Sequence, residues 1–125
     1  QQELNLNTKK KVSFSFTPHL SPMFRGILST IYVDVKNNSK IYNIIDCLKK
    51  FYRNDFFIKI LKTDSILGTN DVINTNYCHI SVCKTKFKNK IIILSAIDNL
   101  IKGGAGQAIQ NLNILYNYRN NKGLV

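Results

Sequence analysis

The segment Asn99-Leu100-Ile101-Lys102-Gly103-Gly104-Ala105-Gly106-Gln107 is the most unusual in the chain. Three glycines in four residues, within a helical pattern, cost helix stability about 1 kcal/mol each against Ala. Such a cost points to close approach by another backbone or by a ligand. A helix start with exposed amides suits an anion or an amide group. Tight packing of the helix against a neighbour is the alternative. The segment holds neither a Walker A loop nor a G-x-G-x-x-G fingerprint.

Pro22-Met23-Phe24-Arg25-Gly26-Ile27 is the second segment with chemical content. Arg25 is one of 3 Arg against 15 Lys, and it follows a loop stiffened by two prolines. An Arg kept where the bias favours Lys points to two-pronged binding of a carboxylate or phosphate. A solvated surface Arg is the plainer reading. His19 could act as acid or base but has no partner evident in sequence, and His79 falls in mid-strand, so both read as structural. Cys47, Cys78 and Cys83 form no C-x-x-C pair, so no metal site is expected. Each reads as a small buried hydrophobe rather than a nucleophile. Three thiols fit a reducing compartment, the cytoplasm.

The elements that must position these residues follow from periodicity. Gln1 to Asn7 reads as the end of a helix. Val12, Phe14 and Phe16 alternate with Ser13 and Ser15 as in a half-buried strand. Pro18 and Pro22 end it in an extended loop. A second strand follows Gly26, with Ile31, Val33 and Val35 on one face, and Asn37-Asn38 turns the chain. Ser39 is the expected N-cap of a helix carrying Ile41, Ile44, Ile45, Leu48 and Phe51/Tyr52. Lys49, Lys50 and Arg53 complement its dipole at the far end. Phe56 to Leu61 reads as a short strand, and Lys62 to Asn76 as a long polar loop of the kind that is often functional. Tyr77 to Lys84 and Lys90 to Ile97 form a hairpin across Thr85 to Asn89. A last helix begins near Asp98-Asn99, with Ala105, Ala108, Ile109, Leu112, Leu115 and Tyr116 at helical spacing, before a polar tail. The expected class is α+β, a mostly antiparallel sheet with two helices.

A length of 125 residues suits one domain, able to bury about two-thirds of its unfolded surface. With 44% hydrophobic and 20% charged residues, intrinsic disorder is excluded. The longest near-continuous apolar stretch, Ile91 to Ile97, is too short for a membrane helix. Residue 1 is Gln and no basic-then-apolar leader follows, so a processed chain or an interior fragment is expected. The net charge of +11 invites nucleic acid, but Lys, Asn and Ile together make up 38% of the chain. Their AT-rich codons are a sufficient cause of the Lys excess. Readers of nucleic acid favour Arg, and only Lys9-Lys10-Lys11 forms a run. No nucleic-acid partner is expected, and a small basic nucleic-acid-binding module stands as the rival from another class.

Residues Phe16 to Tyr32 (FTPHLSPMFRGILSTIY) resemble the "FTPHLxPMxRGIxxTIY" signature of the N-acetyl-gamma-glutamyl-phosphate reductase family. Asn74 to Ile80 is similar to its "G(S/T)NxCxI" strand entrance, with Asn74 where Gly is usual. Ser95 to Asn111 resembles its "SxIDNLxKGAAGQAxQN" helix. The resemblance implies an arginine-biosynthesis enzyme that reduces N-acetyl-5-glutamyl phosphate to N-acetyl-L-glutamate 5-semialdehyde with NADPH. It also implies a Cys nucleophile that forms a thioester and a His base. Neither motif is matched here by Cys47, Cys78, Cys83 or His19, and both catalytic groups are expected upstream of Gln1. The related aminoadipyl-phosphate reductase of lysine biosynthesis is the nearest enzyme alternative.

The resemblance further implies a fold similar to the carboxy-terminal domain of glyceraldehyde-3-phosphate and aspartate-semialdehyde dehydrogenases. Residues 1–125 would be one partial domain, with the 98–117 helix packing back on a missing dinucleotide-binding domain. It places Arg25 toward the substrate, and Asn99, Lys102 and Gly103 toward the nicotinamide of NADP. The sheet would supply a homo-oligomer interface.

Overall fold

The computed structural model describes residues 2–8, 11–36 and 39–124. The expected Asn37-Asn38 turn lies outside the described residues. In chain order the elements are α1 (Gln2–Thr8), β1 (Ile27–Asp34), α2 (Ile41–Phe51), β2 (Ile58–Ile60), β3 (Cys78–Lys84), β4 (Lys90–Ile97) and α3 (Gly106–Leu115). The four strands form one sheet in the order β1-β4-β3-β2. β1/β4 and β3/β4 run antiparallel and β2/β3 runs parallel, so the α+β class holds with a mixed sheet.

Alternation along the strands divides the sheet into two faces. On one, Ile41, Ile44, Ile45 and Leu48 of α2 pack against Val33, Val35, Ile60, Val82, Ile91 and Ile93. On the other, the connection from β2 to β3 lays buried Leu67 and Val72 on Ala96, flanked by Leu61 and Leu94. A parallel neighbour needs such a crossover, which gives the long 62–76 loop its place in the core. β1 forms the opposite edge, and Ile27, Leu28, Ile31 and Tyr32 stay exposed along it.

Several local expectations differ from the structure. Phe14 and Phe16 lie in extended chain outside any strand and are exposed. Alternation specifies a strand only where a ladder partner is at hand, and the described residues bring none to this segment. Ser39 does not cap α2: its amide closes a turn onto the Lys36 carbonyl, and the helix starts after Lys40 without a side-chain cap. Cys47 is exposed on α2, while Cys78 and Cys83 are half-buried. The final helix is not continuous. Ile101–Ala105 forms a wide π turn in which Gly103 and Ala105 donate five residues back, to Asp98 and Leu100. Gly104 leaves helical geometry (φ −141°, ψ −110°), and regular α-helix runs only from Gly106 to Leu115. The described residues contain no helix long and apolar enough to cross a membrane.

Candidate functional site

Two short segments, 73 residues apart in sequence, are joined by their side chains. Arg25 Nε donates to the Asp98 carboxylate, 3.1 Å from Oδ1 and 3.0 Å from Oδ2. Next to it, the Gly26 amide donates to Asn99 Oδ1 at 2.7 Å. Gly26 takes φ +106°, and a Cβ there would stand 2.6 Å from Thr69 Cβ. Only glycine lets the chain pass this point into β1.

Asp98 follows the last residue of β4 and has no exposed surface. Its Oδ1 also accepts the amides of Leu100 and Ile101, both at 2.9 Å, and its Oδ2 accepts that of Asn74 at 2.8 Å. Burial alone would push this carboxyl up. The bonds from Ile101, Asn74, Leu100 and Arg25 outweigh it and hold the group below its ordinary 3.8. Asn74 meets Asp98 with φ +61°, a conformation that Gly adopts freely and Asn tolerates.

Arg25 is four-fifths buried. Among the described residues its two Nη groups have no partner, so one edge of the guanidinium is spent on Asp98 and the other is available to an anion. Lys102 donates from Nζ to Gln110 Oε1 at 2.7 Å and stands 5.6 Å from the Phe57 ring centroid. Burial holds its ammonium below the ordinary 10.5, against the opposing pull of Cys78 and Asp55. Asn76 Nδ2 reaches the same Gln110 oxygen at 3.3 Å. Gly103 and Gly104 are exposed at the wide turn.

Among the described residues, no acid–base pair forms around these groups. His19 is exposed, its Nδ1 3.1 Å from the Thr17 carbonyl. His79 sits in β3, and its buried Nε2 has no hydrogen-bond partner among the described residues. Cys78 Sγ lies 3.4 Å from Ser95 Oγ, and Cys83 Sγ 3.7 Å from Ser81 Oγ. A groove of about 530 Å³ at the β3–β4 hairpin is lined by Tyr32, Phe87, Ile92 and lysines, and includes none of the expected site residues.

The structure thus links Arg25 to Asn99 through their immediate neighbours, and places Lys102 with Gln110. Sequence reasoning missed Asp98, Asn74, Asn76 and Gln110. One signal was there for Asp98: it is one of only 7 acidic residues, placed at the end of an apolar strand.

Residues 1–99 match the family model described as semialdehyde dehydrogenase, dimerisation domain. Among curated relatives, N-acetyl-gamma-glutamyl-phosphate reductase of Thermoanaerobacter pseudethanolicus is 44% identical over 124 residues, 99% of this chain and 36% of that protein. The enzyme of the same name from Clostridium botulinum is 47% identical over 114 residues, 91% of this chain and 33% of that protein. A probable chloroplastic N-acetyl-gamma-glutamyl-phosphate reductase of Arabidopsis thaliana is 42% identical over 125 residues, 100% of this chain and 31% of that protein. The chain spans about a third of the length of these curated relatives. With the model matched over strands β1 to β4, the chain belongs to the semialdehyde dehydrogenase dimerisation-domain family.

Proposed function

We propose that this chain is the substrate-binding and subunit-contact part of a reductase that converts N-acetyl-5-glutamyl phosphate to N-acetyl-L-glutamate 5-semialdehyde and phosphate. The observation that carries the reading is the double link between residues 25–26 and 98–99, which makes one rigid unit of the two segments that resemble this family. The names of the relatives support the same reaction.

Arg25 grips an anionic group of the acyl phosphate through its free Nη edge, a two-pronged contact that also orients the plane of the ligand. NADPH is the cofactor, and its nicotinamide supplies hydride when bound. The residues fit such a group: Asn99 keeps Nδ2 to donate while Oδ1 holds Gly26, and exposed Gly103 and Gly104 leave no Cβ in the way. Lys102, fixed by Gln110, adds positive charge to that end.

The exposed Ile109, Leu112 and Leu115 of α3, with Tyr116 just after it, pack against a dinucleotide-binding domain, and exposed β1 against a second subunit. The family description, a dimerisation domain, supports the homo-oligomer. Three free thiols suit a reducing compartment such as the cytoplasm.

Assaying the complete protein for NADPH oxidation tests the reading. N-acetyl-5-glutamyl phosphate should be reduced with release of phosphate, and the aminoadipyl analogue much more slowly. Preference for the analogue, or no turnover of either, would overturn it.

A further inference from the structure

Asp98 does more than a helix cap requires. A cap needs an acceptor for one or two leading amides, and Asp98 Oδ1 already accepts those of Leu100 and Ile101. The same buried carboxylate also holds Asn74, at the end of the β2–β3 connection, and Arg25, in the loop before β1. The contact with Arg25 runs through Nε alone, not through the outer fork. That choice anchors the guanidinium at its inner nitrogen and leaves both Nη groups without a hydrogen bond among the described residues. A long, rotamer-rich side chain is thereby ordered before any ligand arrives.

We infer that Asp98 is a positioning residue: through Arg25 Nε it sets the direction in which the Nη groups meet the anionic group of the substrate. The inference rests on the reading of Arg25 as the anion grip. An Arg released from Asp98 keeps its charge but loses its aim, and misplacement of about 1 Å is worth about 10²-fold in rate.

The test compares Asp98→Asn, Arg25→Lys and the double variant in the complete enzyme, with acyl phosphate and NADPH varied separately. Asn keeps one oxygen for the Leu100 and Ile101 amides but removes the charge and one acceptor for Arg25. Asp98→Asn should raise KM for acyl phosphate about 10- to 100-fold, with KM for NADPH within twofold of the parent. The double variant should be little worse than the worse single one, since both act through one contact. If Asp98→Asn lowers Tm but leaves the acyl-phosphate KM within twofold, while Arg25→Lys raises it, Asp98 is a structural cap and the inference fails alone. If Arg25→Lys changes neither constant, the reading of Arg25 fails and takes the inference with it. Should Asp98→Asn not fold, Asp98→Glu keeps the charge and displaces it by one methylene, with the same expected split and the same overturning result.

Discussion

Gly106 lies directly against the side chain of Asn76: a Cβ at position 106 would stand 2.3 Å from Asn76 Oδ1 and 2.8 Å from the Ile101 carbonyl oxygen. The first residue of α3 therefore owes its identity to close packing. Helix propensity favours Ala over Gly by about 1 kcal/mol, but overpacking of a tight site costs about 1–3 kcal/mol. Backbone Ile101 cannot swing aside, so the steric effect wins. Gly106→Ala should lower the urea midpoint of the complete protein, by the equivalent of up to about 2 kcal/mol. A raised midpoint would show that α3 and Asn76 have room to part.

Stability should fall with acid in two steps. His79 is held below its ordinary 6.5 by burial and by Lys59, with Asp71 opposing. The unfolded chain therefore takes up this proton first, and stability is lost as pH falls below about 6.5. Asp98, held below 3.8, contributes stability that is present above that value and disappears as pH falls through its lowered folded value. Thermal melts should be flat near pH 7, dip below 6.5 and collapse below about 4. His79→Gln should abolish the first step; its persistence would place that step elsewhere.

Legibility in sequence followed the range of the contacts involved. The β3–β4 hairpin was readable to within one residue because its alternation and its five-residue connection are local. The apolar stripe of α2 was likewise local. The parallel placement of β2 and the hub at Asp98 were not readable, because their partners come from distant segments: Asp98 meets Asn74 across 24 residues and Arg25 across 73. The glycines of 103–106 point to close approach from sequence alone. At Gly106 that packing is seen, while the break at Gly104 depends on where Asp98 and Leu100 aim their carbonyls. The extended chain at Phe14 and Phe16 shows the converse, a strand pattern without a neighbour.

Asn99→Ala in the complete enzyme should raise the apparent constant for NADPH about 2- to 12-fold, the worth of one ordinary hydrogen bond. The constant for acyl phosphate should move less. Equal movement of both would assign Asn99 to holding Gly26 and nothing else.

The purified 125-residue chain should show no turnover of acyl phosphate with NADPH. Among the described residues, none of Cys47, Cys78, Cys83 or His19 is placed beside a catalytic partner. With Ile31, Tyr32, Leu112 and Leu115 uncovered, the chain should also be poorly soluble. Turnover above the no-enzyme blank would mean that the reacting groups lie within these residues after all.

The grip of Arg25 on the substrate anion is tested most directly by Arg25→Lys in the complete enzyme, read as kcat/KM for acyl phosphate. Lys preserves the charge but not the planar fork, and it cannot meet Asp98 through an Nε while presenting two further donors. Loss of a charge-assisted contact is worth about 1.5–3 kcal/mol, so kcat/KM should fall about 10- to 150-fold with NADPH affinity little changed. An Arg25→Lys enzyme that stays folded and keeps kcat/KM within twofold of the parent would contradict the account.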